Sequence, residues 1–85
     1  MKIDQKDFLK EYIKDKPDFE YKQLADYNFI AETDYYFISV YDFEDNFYCK
    51  IQSTEFGNMP LLADFILTET YEEFKTVMDI FLGMK

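Results

Sequence analysis

The chain has 85 residues, with 18 Asp and Glu against nine Lys, no Arg, His or Trp, and a net charge of −9. Without histidine and with a single cysteine, zinc sites and histidine-dependent catalysis are excluded, and the charge repels phosphate backbones, so no direct nucleic-acid binding is expected. A 48% apolar content with ten Phe and eight Tyr is too high for a disordered acidic tail, and the length predicts a single domain over residues 1–85.

The chain opens on polar residues, with no apolar core of a secretory signal. Asp4 to Asp15 reads as an amphipathic helix, with Phe8, Leu9, Tyr12 and Ile13 on one face. Asp4 is placed to cap its start, and Pro17 ends it. Lys2, Lys6, Lys10 and Lys14 form a row beside Asp7, Glu11 and Asp15, within reach for mutual neutralisation. Asp18 to Ala25 is ambiguous between a short helical turn and an extended segment.

From Asp26 the pattern alternates, with Tyr27, Phe29 and Ala31 on one side, and predicts a strand. Glu32-Thr33-Asp34 is a polar turn. Tyr35 to Phe43 is the most strand-like run of the chain. Glu44-Asp45-Asn46 is a hairpin loop in which Asn46 is the residue best suited to a left-handed conformation. Phe47, Cys49 and Ile51 then point one way and Tyr48, Lys50 and Gln52 the other, which completes a three-stranded antiparallel meander. Cys49 reads as a small buried hydrophobe.

Gly57-Asn58-Met59-Pro60 breaks the chain, and Leu61 to Leu67 fits a fourth strand better than a buried helix on its short length and bounding turn signals. The last element is a helix. Thr70 with Glu73 forms a capping box, Phe74, Val77, Met78, Phe81 and Leu82 make the apolar stripe, and Gly83 stops it. The expected fold is therefore α+β: an N-terminal helix, a three- to four-stranded antiparallel sheet and a C-terminal helix. No run approaches the ~20 apolar residues of a membrane span. With one unpaired cysteine and no signal, a reducing, cytoplasmic setting is expected, and no membrane partner.

The charge is unevenly placed. Residues 1–22 hold six Lys and six acids, whereas residues 23–85 hold three Lys and twelve acids. Two segments, 23–49 and 51–74, carry eleven acids and no base. Such asymmetry serves solubility, or it marks a surface aimed at a basic partner. Tyr35 to Phe43 is apolar on both sides of its alternation. It is either a central strand covered on both faces by the two helices, or it leaves one face open with Tyr35, Tyr41 and Tyr48 ringed by Asp34, Asp42, Glu44 and Asp45. Tyrosines within a polar rim suit protein interfaces, because each ring adds contact area at little entropy cost.

Catalytic chemistry finds no foothold. Eighteen carboxylates bring pairs together by chance, and no pattern marks one pair as buried with a raised pKa. Asp42 to Asn46 lacks the glycine and distal glutamate of a calcium loop, and no glycine-rich phosphate loop exists. No catalytic residue, metal or cofactor is expected.

In its size, its lysine-only basicity, its aromatic strands and its acid-only segments 23–49 and 51–74, the chain resembles the small anti-defence inhibitors of bacteriophages, the anti-CRISPR proteins and DNA mimics. The resemblance implies a host bacterial cytoplasm and an inhibitor that occupies the basic groove of a nucleic-acid-processing enzyme. A domain of this length has a radius of gyration near ~12 Å and a width of roughly 30 Å, over which duplex DNA carries roughly 18 charges. One face bearing the eleven acids would imitate part of a duplex. The expected contact residues are Asp34, Tyr35, Tyr41, Asp42, Glu44, Asp45 and Tyr48, with Glu69, Glu72 and Glu73 second. The alternative is a non-catalytic structural or regulatory module, with the same patch closing a homodimer.

Overall fold

The computed structural model describes residues 2–55 and 57–83. A 3₁₀ turn over Gln5–Asp7 leads into α1 (Phe8–Ile13), then β1 (Glu20–Ala25), β2 (Asn28–Glu32), β3 (Tyr36–Phe43), β4 (Asn46–Ser53) and β5 (Leu61–Ile66), and finally α2 (Tyr71–Leu82). The strands form one antiparallel meander in chain order. The α+β class is as expected, but the sheet has five strands rather than three or four. Leu61 to Ile66 joins as β5, and the ambiguous Asp18–Ala25 segment supplies β1. That edge strand buries little, with only Tyr21 of its six residues half-buried. Its Tyr21 ring stacks on Phe29 at 6.5 Å, and Lys22 pairs with Glu20 at 3.6 Å and with Glu32 of β2 at 4.0 Å.

The register fixes which side chains share a face. Tyr21, Ala31, Ile38, Ile51 and Ala63 form one row across the sheet, and Phe29, Val40, Cys49 and Phe65 form the next. These rows meet Phe8, Leu9, Tyr12 and Ile13 of α1 and Phe74, Met78 and Leu82 of α2 in a single core. Both helices therefore cover the same face, so of the two alternatives for β3 the sandwich between helices is wrong and the open face is right. The aromatic rings show why: Phe74 lies 5.5 Å from Phe8 and 6.0 Å from Tyr12. The apolar stripes of the two helices thus bury each other as well as the sheet. The Tyr12 hydroxyl adds a polar tie, donating to Asp79 at 2.8 Å, and Asp79 also accepts from Lys75 at 2.8 Å.

Local chemistry sets the ends of the elements. Asp4 takes the extended N-cap conformation but makes no side-chain cap, so the chain enters α1 through a 3₁₀ turn instead. Lys16 closes α1 from the other end. Its ammonium donates to the Tyr12 carbonyl at 2.8 Å and lies 4.1 Å from the centre of the Tyr12 ring. Of the expected lysine row, Lys14 pairs with Glu11, while Lys2, Lys6 and Lys10 form no ion pair among the described residues. Such exposed pairs repay little of the entropy of holding two long side chains.

The N-cap half of the expected Thr70–Glu73 capping box forms: the Thr70 hydroxyl accepts from the Glu73 N–H at 3.2 Å, and it is this hydroxyl that donates to the Glu73 carboxylate at 2.9 Å. Gly83 ends α2 at φ 66°. Phe81, expected in the buried stripe, is 43% exposed. The inner line of α2 runs through Phe74, Met78 and Leu82, four residues apart, so Phe81 falls on its flank and stacks on Phe65 at 6.3 Å.

Two turns also depart from expectation. Asp26–Tyr27 is a turn, so β2 begins at Asn28. In the β3–β4 hairpin, Phe43 pairs with Asn46, which leaves a two-residue loop. Glu44 and Asp45, at φ 51° and 67°, take the left-handed positions, and Asn46 is already in β4. A two-residue hairpin of this kind needs positive φ at both central positions.

Candidate protein-binding surface

Among the described residues, no helix or strand covers the face opposite the helices. Its central row runs Lys22, Ile30, Ser39, Lys50, Asp64, flanked by Glu20, Glu32, Phe37 and Gln52 on one side and by Asn28, Tyr41, Tyr48 and Ile66 on the other. Tyr41 and Tyr48 stack at 5.8 Å with rings 19° from parallel, and Phe43 meets Tyr48 edge-on at 6.2 Å. Phe43 and Ile66 are 57% and 58% exposed. These residues, with Asp64 and Phe65 of β5, line a recess of about 380 Å³. Lys50 Nζ stands 6.0 Å from the Tyr41 ring centre. Burial and then the Asp64 carboxylate hold the Tyr41 hydroxyl above the usual phenol range.

The expected contact residues divide between the two ends of β3, which at eight residues spans roughly 25 Å. Asp34 and Tyr35 lie in the bend before β3. With Asp18, Glu20, Glu32 and Tyr36 they line a second recess of about 480 Å³. Asp42, Glu44 and Asp45 lie at the other end, beside the Asp26–Tyr27 turn, where the Asp42 N–H donates to the Tyr27 carbonyl at 3.0 Å. Asp42 stands opposite Phe47, at the margin of the helix-covered face.

Glu69, Glu72 and Glu73 surround the start of α2 at that same end, since the Leu67 N–H donates to the Phe47 carbonyl at 2.8 Å. Only Tyr41 and Tyr48 of the expected set therefore meet on the open face. Most of the expected carboxylates frame it at its ends instead of filling it, while Asp64, Lys22 and Lys50 lie in its central row.

Sequence reading missed Phe43, Asp64 and Ile66. Asp64 stands opposite Lys50, and placing it required knowing that 61–66 is a strand in register with β4. Cys49 is buried on the helix side, and burial, then Asp64, pushes its thiol up to about 12. No group of three or more metal-ligating side chains is assembled among the described residues. No helix among them is long and apolar enough to cross a membrane. No protein-family model matches the chain, and neither does any curated protein or solved structure.

Proposed function

We propose that this chain is a non-catalytic, acidic protein-binding inhibitor. Its helix-free sheet face docks on a basic surface of a nucleic-acid-processing enzyme, as the resemblance to anti-CRISPR proteins and DNA mimics implies. The observation that carries this reading is the uncovered aromatic surface of Tyr41, Phe43, Tyr48 and Ile66, set between two carboxylate-bearing ends on a chain of net charge −9. Half-exposed phenol rings supply contact area, and the field of the ends steers a cationic partner.

The test is competition. The chain is titrated into complexes of labelled duplex DNA with purified basic nucleases, RNA-guided effectors among them, over a series of salt concentrations. Displacement of DNA that weakens steeply with salt, and weakens again in Tyr48→Thr, is the expected result. If no such enzyme releases DNA, or the Tyr48 variant competes as well as the parent at every salt concentration, the reading fails.

A second reading, self-association, is favoured by the β5 edge, where Leu61 and Ile66 are 57% and 58% exposed. Two chains of −9 repel, so salt strengthens a homodimer and weakens a complex with a basic partner. Sedimentation at low and high salt separates the two.

A further inference from the structure

We infer that the recess between β3, β4 and β5 on the open face is a seat for one arginine side chain of the partner, an inference that rests on the docking face proposed above. Its walls are the Tyr41–Tyr48 stack, Phe43 and Ile66, and its single acid is Asp64. At about 380 Å³ it is near the lower limit of ligand sites, which suits one side chain better than a whole small molecule.

Three observations select a guanidinium. Asp64 has no ion-pair partner among the described residues: Lys50, its cross-strand neighbour, is not within bonding distance of it and stands toward the Tyr41 ring instead. A cation already stands 6.0 Å from that ring centre, so the aromatic wall faces positive charge. The wall is a pair of near-parallel rings, against which a planar, weakly hydrated guanidinium lies flat while its N–H groups reach a carboxylate. A compact, strongly hydrated ammonium gains less from the same walls.

The experiment needs no partner. The chain is titrated with N-acetyl-arginine N-methylamide, and with its lysine and citrulline counterparts, while backbone amide and tyrosine ring resonances are followed by NMR. The arginine compound is expected to shift Tyr41, Tyr48, Asp64 and Ile66 together, with roughly millimolar affinity and about threefold tighter than the lysine compound. The uncharged citrulline compound is expected to shift none of them. Asp64→Asn, at an exposed position, weakens the arginine effect about threefold, and Lys50→Met strengthens it by removing the resident cation.

Three outcomes overturn the assignment: equal response to arginine and lysine, indifference to Asp64→Asn, or equal shifts at Asp18, Glu20, Glu32 and Asp34. Any of these removes the arginine seat and leaves the DNA-competition result standing on its own. Failure of that competition with the arginine titration intact removes the enzyme partner and keeps the seat.

Discussion

Two positions on opposite faces of β4 offer the sharpest test of a sheet with one covered and one open face. Ile51 is fully buried against the helices, while Tyr48, three residues earlier, is half-buried on the other side. Ile51→Ala removes a close-packed side chain from the core and costs about 2–5 kcal/mol. Tyr48→Thr keeps a strand-forming residue and loses the contacts with Tyr41 and Phe43, which is worth about 1 kcal/mol. For a domain of this size each kcal/mol moves Tm by ~4–8 °C. A loss of ~3 kcal/mol at Ile51 then lowers Tm by about 12–24 °C, against about 4–8 °C at Tyr48. Thermal melts and urea titrations followed by far-ultraviolet circular dichroism, at two protein concentrations, measure both. Complete unfolding of Ile51→Ala agrees with the reasoning, because total stability is only ~4–13 kcal/mol. Equal losses at the two positions would refute it, since a covered Tyr48 means a second element or a second chain lies on that face.

Replacing the hairpin pair, Glu44→Asn with Asp45→Gly, is expected to raise stability by about 1 kcal/mol, because both positions have positive φ and the new pair adopts it more readily; an unchanged urea midpoint would count against that turn geometry. Thr70→Ala removes the α2 cap and is expected to cost about 1 kcal/mol, read in the same titration. The Tyr71 hydroxyl is pushed up to about 12, by burial first and the Glu11 charge second. A raised folded-state pKa gives stability that is whole below the ordinary phenol value of 10.0 and fades as pH rises toward 12. Tyr71→Phe should therefore flatten the alkaline loss of stability, and phenolate absorbance should show one late-titrating tyrosine fewer.

What the sequence disclosed follows from where periodicity is strong. Phe8, Leu9, Tyr12 and Ile13, and Phe74, Met78 and Leu82, each repeat at helical spacing, and all seven are buried. Cys49 and Ile51 alternate with Tyr48 and Lys50, and the register keeps that alternation. Edge strands are harder to read, because only one side pairs and little is buried: β1 shows one half-buried residue in six and β5 two in six. Coverage of a sheet face is not written in any strand. Tyr35 to Phe43 is apolar on both sides whether a helix or a partner covers the second one. The proposed patch divided for a related reason. Asp34 and Glu44 lie ten positions apart in sequence, but an extended strand converts that separation into distance, whereas Asp64 reaches Tyr41 and Tyr48 through pairing that no local pattern encodes.

The two acid-bearing ends and the rings between them should then act on different steps of binding. Their separation of roughly 25 Å is about three Debye lengths at physiological salt, so each end is felt by a partner nearly on its own. Below ~0.01 M salt the Debye length grows to ~30 Å and the ends act as one field. Charge reversal at Glu44 and Asp45, both exposed, is thus expected to lower the association rate severalfold at low salt and to leave the dissociation rate nearly unchanged. Tyr48→Thr, which strips contact area and leaves the field intact, should do the reverse. Stopped-flow mixing with a basic enzyme that the chain displaces from DNA resolves the two rates. If the hairpin acids govern dissociation and the tyrosine governs association, the division of labour between ends and face is wrong, and the contact lies on the acids themselves.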